Sequence, residues 1–150
     1  MEFILIAGAC VVKNDKILLL QIKKANEQDG RWGPPSGHAN GIENPEDVAL
    51  RETKEETGLD VKLTDLVQIA ISYYKNQAYL FVFYKAKIIG HQKIKIQNEE
   101  VYQYKWVNLE DIQNNKFIFR KRHLKDLMIR ALTNKTSPKG IINHLEIERD

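Results

Sequence analysis

Residues 37–59 read Gly37-His38-Ala39-Asn40-Gly41-Ile42-Glu43-Asn44-Pro45-Glu46-Asp47-Val48-Ala49-Leu50-Arg51-Glu52-Thr53-Lys54-Glu55-Glu56-Thr57-Gly58-Leu59. Within this stretch Asn44 is an N-cap residue. Pro45 stands at the first helical position, where its missing N–H costs nothing, and Glu46 and Asp47 face the positive end of the helix dipole. Gly58 closes the helix. On that helix Glu52, Glu55 and Glu56 stand at i, i+3 and i+4 and share one face. Three carboxylates so placed repel one another. Hard oxygen ligands at close quarters suit Mg²⁺ or Mn²⁺, which bind a few carboxylates while substrate phosphates and water fill the remaining positions. The competing interpretation is an exposed acidic helix in which Arg51 and Glu55 form an ordinary i,i+4 pair.

Working outward, residues 3–12 and 17–22 are apolar and rich in β-branched side chains, and Asn14-Asp15-Lys16 between them is turn chemistry, so a hairpin opens the chain. Residues 24–41 gather Gly, Pro and Asn into a long irregular stretch of the kind that carries function inside a compact domain. After the helix, 61–64, 67–74, 78–87 and 101–107 read as strands and Leu109–Ile112 as one helical turn. Leu124, Leu127, Met128, Ala131 and Leu132 recur at helical spacing, which predicts an amphipathic helix over 120–132 with a basic outer face. The segment 133–150 is expected to be loosely held, with Ile141, Ile142, Leu145 and Ile147 as packing candidates. Strands around one central helix and a late second helix predict an α+β fold, an α/β/α sandwich with a mixed sheet.

The 150 residues fit one domain, with a core over about 3–132. The longest apolar run, residues 3–12, is half of the about twenty residues that a spanning helix needs, so no membrane association is expected. Cys10 is the only cysteine; it is a small buried hydrophobe in a strand, and the composition fits a reducing, cytoplasmic setting. The net charge of +3 is too small to argue for nucleic acid. Its distribution is uneven: residues 43–60 carry seven acids against Arg51 and Lys54, and residues 116–139 carry eight basic side chains against Asp126 alone. The basic run is either the solvated face of a helix or a platform for phosphates or RNA.

Gly37, Glu43, Arg51, Glu52, Glu55, Glu56 and Gly58 stand in the order G-x5-E-x7-R-E-x-x-E-E-x-G, followed by aliphatic Leu59. That is the Nudix box, and the chain resembles the Nudix hydrolases across it and, more loosely, over about residues 3–132. Thr53 departs from the pattern, which wants an aliphatic residue there. The resemblance implies the Nudix fold and a Mg²⁺-dependent (or Mn²⁺-dependent) attack of water on a pyrophosphate bond. The substrate would be a nucleoside triphosphate or another nucleoside diphosphate linked to a further group.

On the same resemblance Glu52, Glu55, Glu56 and the backbone carbonyl of Ser36 match metal ligands, and Glu52 is also a candidate base. Arg51 matches the arginine that orients the glutamates. Glu43, Gly37 and Gly58 have supporting roles, and Glu100 resembles a further acid from outside the box, with Glu99 its chemical equal. Lys23, Lys24, Arg31, His38 and Tyr74 are candidates for holding substrate. Trp32, Tyr73, Tyr79 and Tyr84 are weaker candidates for stacking a base, since strand aromatics more often belong to the core. His91, His123 and His144 are expected at the surface. Tyr74 and Pro34-Pro35-Ser36-Gly37-His38 are similar to features of dinucleoside-polyphosphate hydrolases. Two alternatives therefore stand: the same chemistry on dinucleoside polyphosphates or RNA 5′ ends, and a non-catalytic domain that binds nucleotide as a regulator. A homodimer is implied by the resemblance only.

Overall fold

The computed structural model describes residues 1–142. Strand β1 (Glu2–Lys13) turns through Asn14 and Asp15, both with positive φ, into β2 (Lys16–Ile22). Asn and Asp tolerate that left-handed conformation, and the resulting turn matches the strand twist. The hairpin is nevertheless short, with only Val12↔Ile17 and Lys13↔Lys16 in register. Beyond it the strands diverge: β1 runs parallel to β6 (Gln77–Ile88), and β2 pairs antiparallel with β7 (Val101–Asn108). Two short strands, β3 (Trp32–Gly33) and β4 (Ser36–His38), interrupt the irregular stretch; β3 pairs with β2 and β4 with β1.

Helix α1 (Pro45–Thr57) has the caps read from the sequence: Asn44 Oδ1 accepts from the Asp47 N–H at 2.8 Å, and Gly58 closes it in the left-handed region at φ 75°. Its buried stripe is narrow, made of Val48, Ala49, Thr53 and Thr57, so the helix lies close over β1 and β4. Thr53, the departure from the box pattern, is fully buried, and its hydroxyl donates to the Ala49 carbonyl at 2.7 Å. The polar atom is thus satisfied within the helix.

The strands expected at 61–64 and 67–74 are one element, β5 (Val61–Tyr74), paired antiparallel with β6. Register shifts at Leu63/Asp65 and Leu66/Gln68 break the alternation that would have joined them in the sequence. A short helix α2 (Leu109–Gln113) and α3 (His123–Leu132) follow, the latter starting three residues later than its periodicity suggested.

Both faces of the sheet are covered. Ala7, Ala9 and Val11 of β1, with Leu18, Leu20, Val82, Tyr84 and Ala86, join the α1 side. Cys10, Ile17, Leu19, Phe81 and Phe83, with Leu124, Leu127 and Met128 of α3, form the other. This is the expected α/β/α sandwich with a mixed sheet, and burial on two faces explains why β1 and β2 read as continuous apolar runs. After α3, one of the packing candidates is seated on the core and another is not. Ser137–Pro138 forms β8 on the edge of β5, and Ile142 packs against the α1-side core, while Ile141 is exposed. His144, Leu145 and Ile147 lie outside the described residues.

Candidate active site

Strand β4 sets Ser36 and Gly37 beneath α1. A Cβ on Gly37 would collide with the Glu52 carboxylate, so the absence of a side chain lets helix and loop close on each other. The Ser36 N–H donates to Glu56 Oε2 at 3.2 Å. Arg51 organises the exposed side: Nε and Nη2 grip Glu43 at 3.0 and 2.8 Å, Nη1 donates to Glu52 Oε1 at 2.9 Å and to Glu55 at 3.3 Å, and Nη2 also donates to the His38 carbonyl at 2.9 Å. The bidentate pair fixes Glu43, which accepts in turn from the Asn40 N–H at 2.6 Å. One guanidinium thereby ties the loop to the helix.

The cleft so formed, of about 290 Å³, is lined by Ser36, Gly37, His38, Glu52, Glu55, Glu56, Glu100, Lys24 and Arg120, among others. Burial, reinforced by the Glu52 charge, pushes the Glu56 carboxyl up to about 8. Burial also raises Glu52, against the pull of Arg51. The Arg51 guanidinium and the Asn40 N–H hold Glu43 below its ordinary value. Carboxyl groups therefore crowd a cleft whose burial disfavours the charge of Glu52 and Glu56.

Among the described residues no three acidic, His or Cys side chains already converge on one point. Glu52 and Glu55 lean on Arg51, and Glu56 on the Ser36 N–H. The donor set still fits a hard divalent cation: carboxylate oxygens share one wall, and the burial that disfavours their charge is what such an ion would relieve.

Arg120 is the site residue that sequence reading missed. It lies in the basic run, where it is indistinguishable from solvated neighbours. The parallel bridge between Trp32 and Phe119, with the Arg120 N–H donating to the Trp32 carbonyl at 2.9 Å, turns its side chain into the cleft. There Nη1 reaches Ser36 Oγ at 3.4 Å, and its charge acts on Glu56, Glu100 and Glu52.

Glu100 stands in the cleft wall, and its carbonyl accepts from the Lys23 N–H at 2.7 Å. Of the two lysines, Lys24 lines the cleft. Next to it a second pocket, of about 440 Å³, shares Ile22, Lys24, His38 and Arg120 with the cleft and adds Tyr73, Tyr74, Tyr79 and Phe81. Trp32 and Tyr84 are core residues instead: Trp32 meets Phe117 edge-on, and Tyr84 is fully buried.

His123 corrects the surface expectation. It packs on Phe81 and Phe83, its Nδ1 lies 2.8 Å from Gln68 Oε1, and burial lowers its affinity for a proton. Arg31 sits outside the cleft, in a basic depression beyond the aromatic pocket.

A family model for the NUDIX domain matches residues 4–128, and the chain belongs to the Nudix family. It is 31% identical over 100 residues to the mouse bis(5′-nucleosyl)-tetraphosphatase (asymmetrical), covering 64% of this chain and 66% of that protein. It is 27% identical over 124 residues to the 8-oxo-dGTP diphosphatase of Buchnera aphidicola, covering 83% and 92%. A NUDIX hydrolase from Nitrosomonas europaea shares the fold with a TM-score of 0.81 at 17% identity, over 96% of this chain and 98% of that one. The chain spans only 36% of the length of another curated relative. No helix among the described residues is long and apolar enough to cross a membrane.

Proposed function

We propose that this chain hydrolyses the phosphoanhydride bond of a nucleoside triphosphate or of another nucleoside diphosphate linked to a further group, with Mg²⁺ or Mn²⁺ as cofactor. The observation that carries this reading is the placement of Glu52, Glu55 and Glu56 in the lining of a cleft that shares Ile22, Lys24, His38 and Arg120 with a neighbouring pocket lined by Tyr73, Tyr74, Tyr79 and Phe81. The divalent ion, when bound, neutralises phosphate charge and polarises water. Glu52, Glu55, Glu56 and the Ser36 carbonyl would hold it. Glu52, whose charged form Arg51 favours against the burial that raises it, or Glu100 would accept the proton of the attacking water. Arg120 and Lys24 would grip the phosphate oxygens between the cleft and the aromatic pocket. His38 and Tyr74 would border the bound nucleoside.

Product analysis tests this over nucleoside triphosphates, oxidised dGTP, ADP-ribose and dinucleoside polyphosphates, with Mg²⁺ or Mn²⁺ and with Glu55→Gln as control. Metal-dependent cleavage that the control loses supports hydrolysis and selects the substrate. Tight nucleotide binding without turnover on every compound would identify a regulatory binding domain instead.

A further inference from the structure

Arg120 enters the cleft by a built route. Its N–H donates to the Trp32 carbonyl at 2.9 Å. Its own carbonyl accepts from Gln28 at 3.0 Å, with that amide oriented to satisfy both of its neighbours. The stem lies against Gly33, where an added Cβ would come within 2.9 Å of Arg120 Cδ. Backbone and stem are thus fixed, and the head is not. Among the described residues the guanidinium makes one side-chain hydrogen bond, the 3.4 Å contact from Nη1 to Ser36 Oγ, and no carboxylate lies within ion-pair distance of it. Most of its N–H donors are left for a ligand.

The carboxylates of the cleft divide in a matching way. Glu52 and Glu55 share Arg51, at 2.9 and 3.3 Å. Glu56 and Glu100 have no ion pair among the described residues, and the charge of Arg120 acts on both. Burial and the Glu52 charge raise the Glu56 carboxyl, and the strongest influence opposing them is Arg120. Arg120 also lines the aromatic pocket. A turn of its head, with the stem still on Gly33, points the same charge at a phosphate between cleft and pocket.

We infer that Arg120 is an exchangeable counter-cation, which balances the cleft carboxylates in place of a divalent ion and turns to the phosphate next to the nucleoside once ion and substrate are in. The role rests on the proposed hydrolysis for the identity of the two ligands. A side chain that only props the cleft would weaken both ligands on removal. A resident counter-cation opposes the ion and favours the anion, so its removal shifts the two affinities in opposite directions.

The test measures Mn²⁺ binding to the free protein by the loss of the ion's electron paramagnetic resonance signal, and binding of inorganic pyrophosphate in EDTA by isothermal titration calorimetry. The proteins are wild type, Arg120→Gln and Arg120→Lys. Arg120→Gln is expected to bind Mn²⁺ at least about 5-fold more tightly, and pyrophosphate at least about 5-fold more weakly, than wild type. Arg120→Lys keeps the charge and loses the fork, so its Mn²⁺ affinity should stay within about 2-fold of wild type while pyrophosphate binding weakens. Should a circular-dichroism melt show Arg120→Gln unfolded, Arg120→Met, which keeps an apolar stem against Gly33, carries the same expectation. A neutral variant that binds Mn²⁺ no more tightly than wild type, or pyrophosphate no more weakly, overturns the inference. Opposed shifts in a protein that cleaves no compound of the panel would refute the hydrolysis and keep the counter-cation. Cleavage by a protein whose Mn²⁺ affinity is unmoved by the neutral variant would do the reverse.

Discussion

At Gly37 any side chain would meet the Glu52 carboxylate, so Gly37→Ala displaces the glutamate by about an ångström and is expected to lower turnover by about 100-fold while the protein still folds. Steady-state rates alongside a circular-dichroism melt separate the two effects. Arg51 is exacting in a different way. Its fork holds Glu43 bidentately and reaches Glu52, Glu55 and the His38 carbonyl, and lysine has no fork, so Arg51→Lys should lower both melting temperature and turnover.

Glu56 sets the pH behaviour. Its carboxyl is pushed up to about 8 in the fold from an ordinary value of 4.5, so between these values the folded chain binds more protons than the unfolded one. The contribution to stability is full below pH 4.5 and is lost as pH rises through about 8. Metal-free protein should therefore lose stability across this window, and Glu56→Gln should flatten that part of the urea-midpoint-against-pH curve. Binding of a divalent ion should expel the same proton, so its affinity should climb with pH over the same window.

Among the elements, α1 was legible end to end because its signals are local: a capping Asn44, a proline at the first position, and a glycine where the chain must turn left-handed. Its one irregular position makes a prediction. The Thr53 hydroxyl only shares a carbonyl already engaged in the helix, so Thr53→Val should keep activity and change stability by no more than about 1 kcal/mol in a denaturant titration. Strand β5 was legible as two pieces, since a bulge is a property of pairing with β6 and leaves no local mark. The hairpin turn at Asn14-Asp15 was legible, but the separation of β1 and β2 into different pairings depends on β6 and β7, remote in sequence.

For the whole molecule, the glutamates of the site were readable because one helix carries them. Arg120 was not, because a charged residue in a loop looks the same whether it meets water or a buried carboxylate; only the bridge from Phe119 to Trp32 aims it. His123 was misjudged for the same reason, its neighbours Phe81 and Gln68 being more than forty positions away. The joined cleft and pocket likewise exist only where α1, β2, β4, β5, β6 and the loop before α3 meet. A ligand that bridges them stabilises the whole chain by mass action, so Mg²⁺ with a non-hydrolysable nucleotide should raise the melting temperature, and Glu56→Gln should reduce that rise.

The most direct test of metal-assisted water attack is hydrolysis in H₂¹⁸O of the best substrate from the panel, with Mg²⁺ or with EDTA, by wild-type and Glu52→Gln protein. One ¹⁸O should enter a single phosphate product, only when metal is present, with a rate at least about 100-fold lower in the variant. Turnover that survives EDTA, or that Glu52→Gln leaves intact, would contradict the assignment of the α1 glutamates as the catalytic metal site.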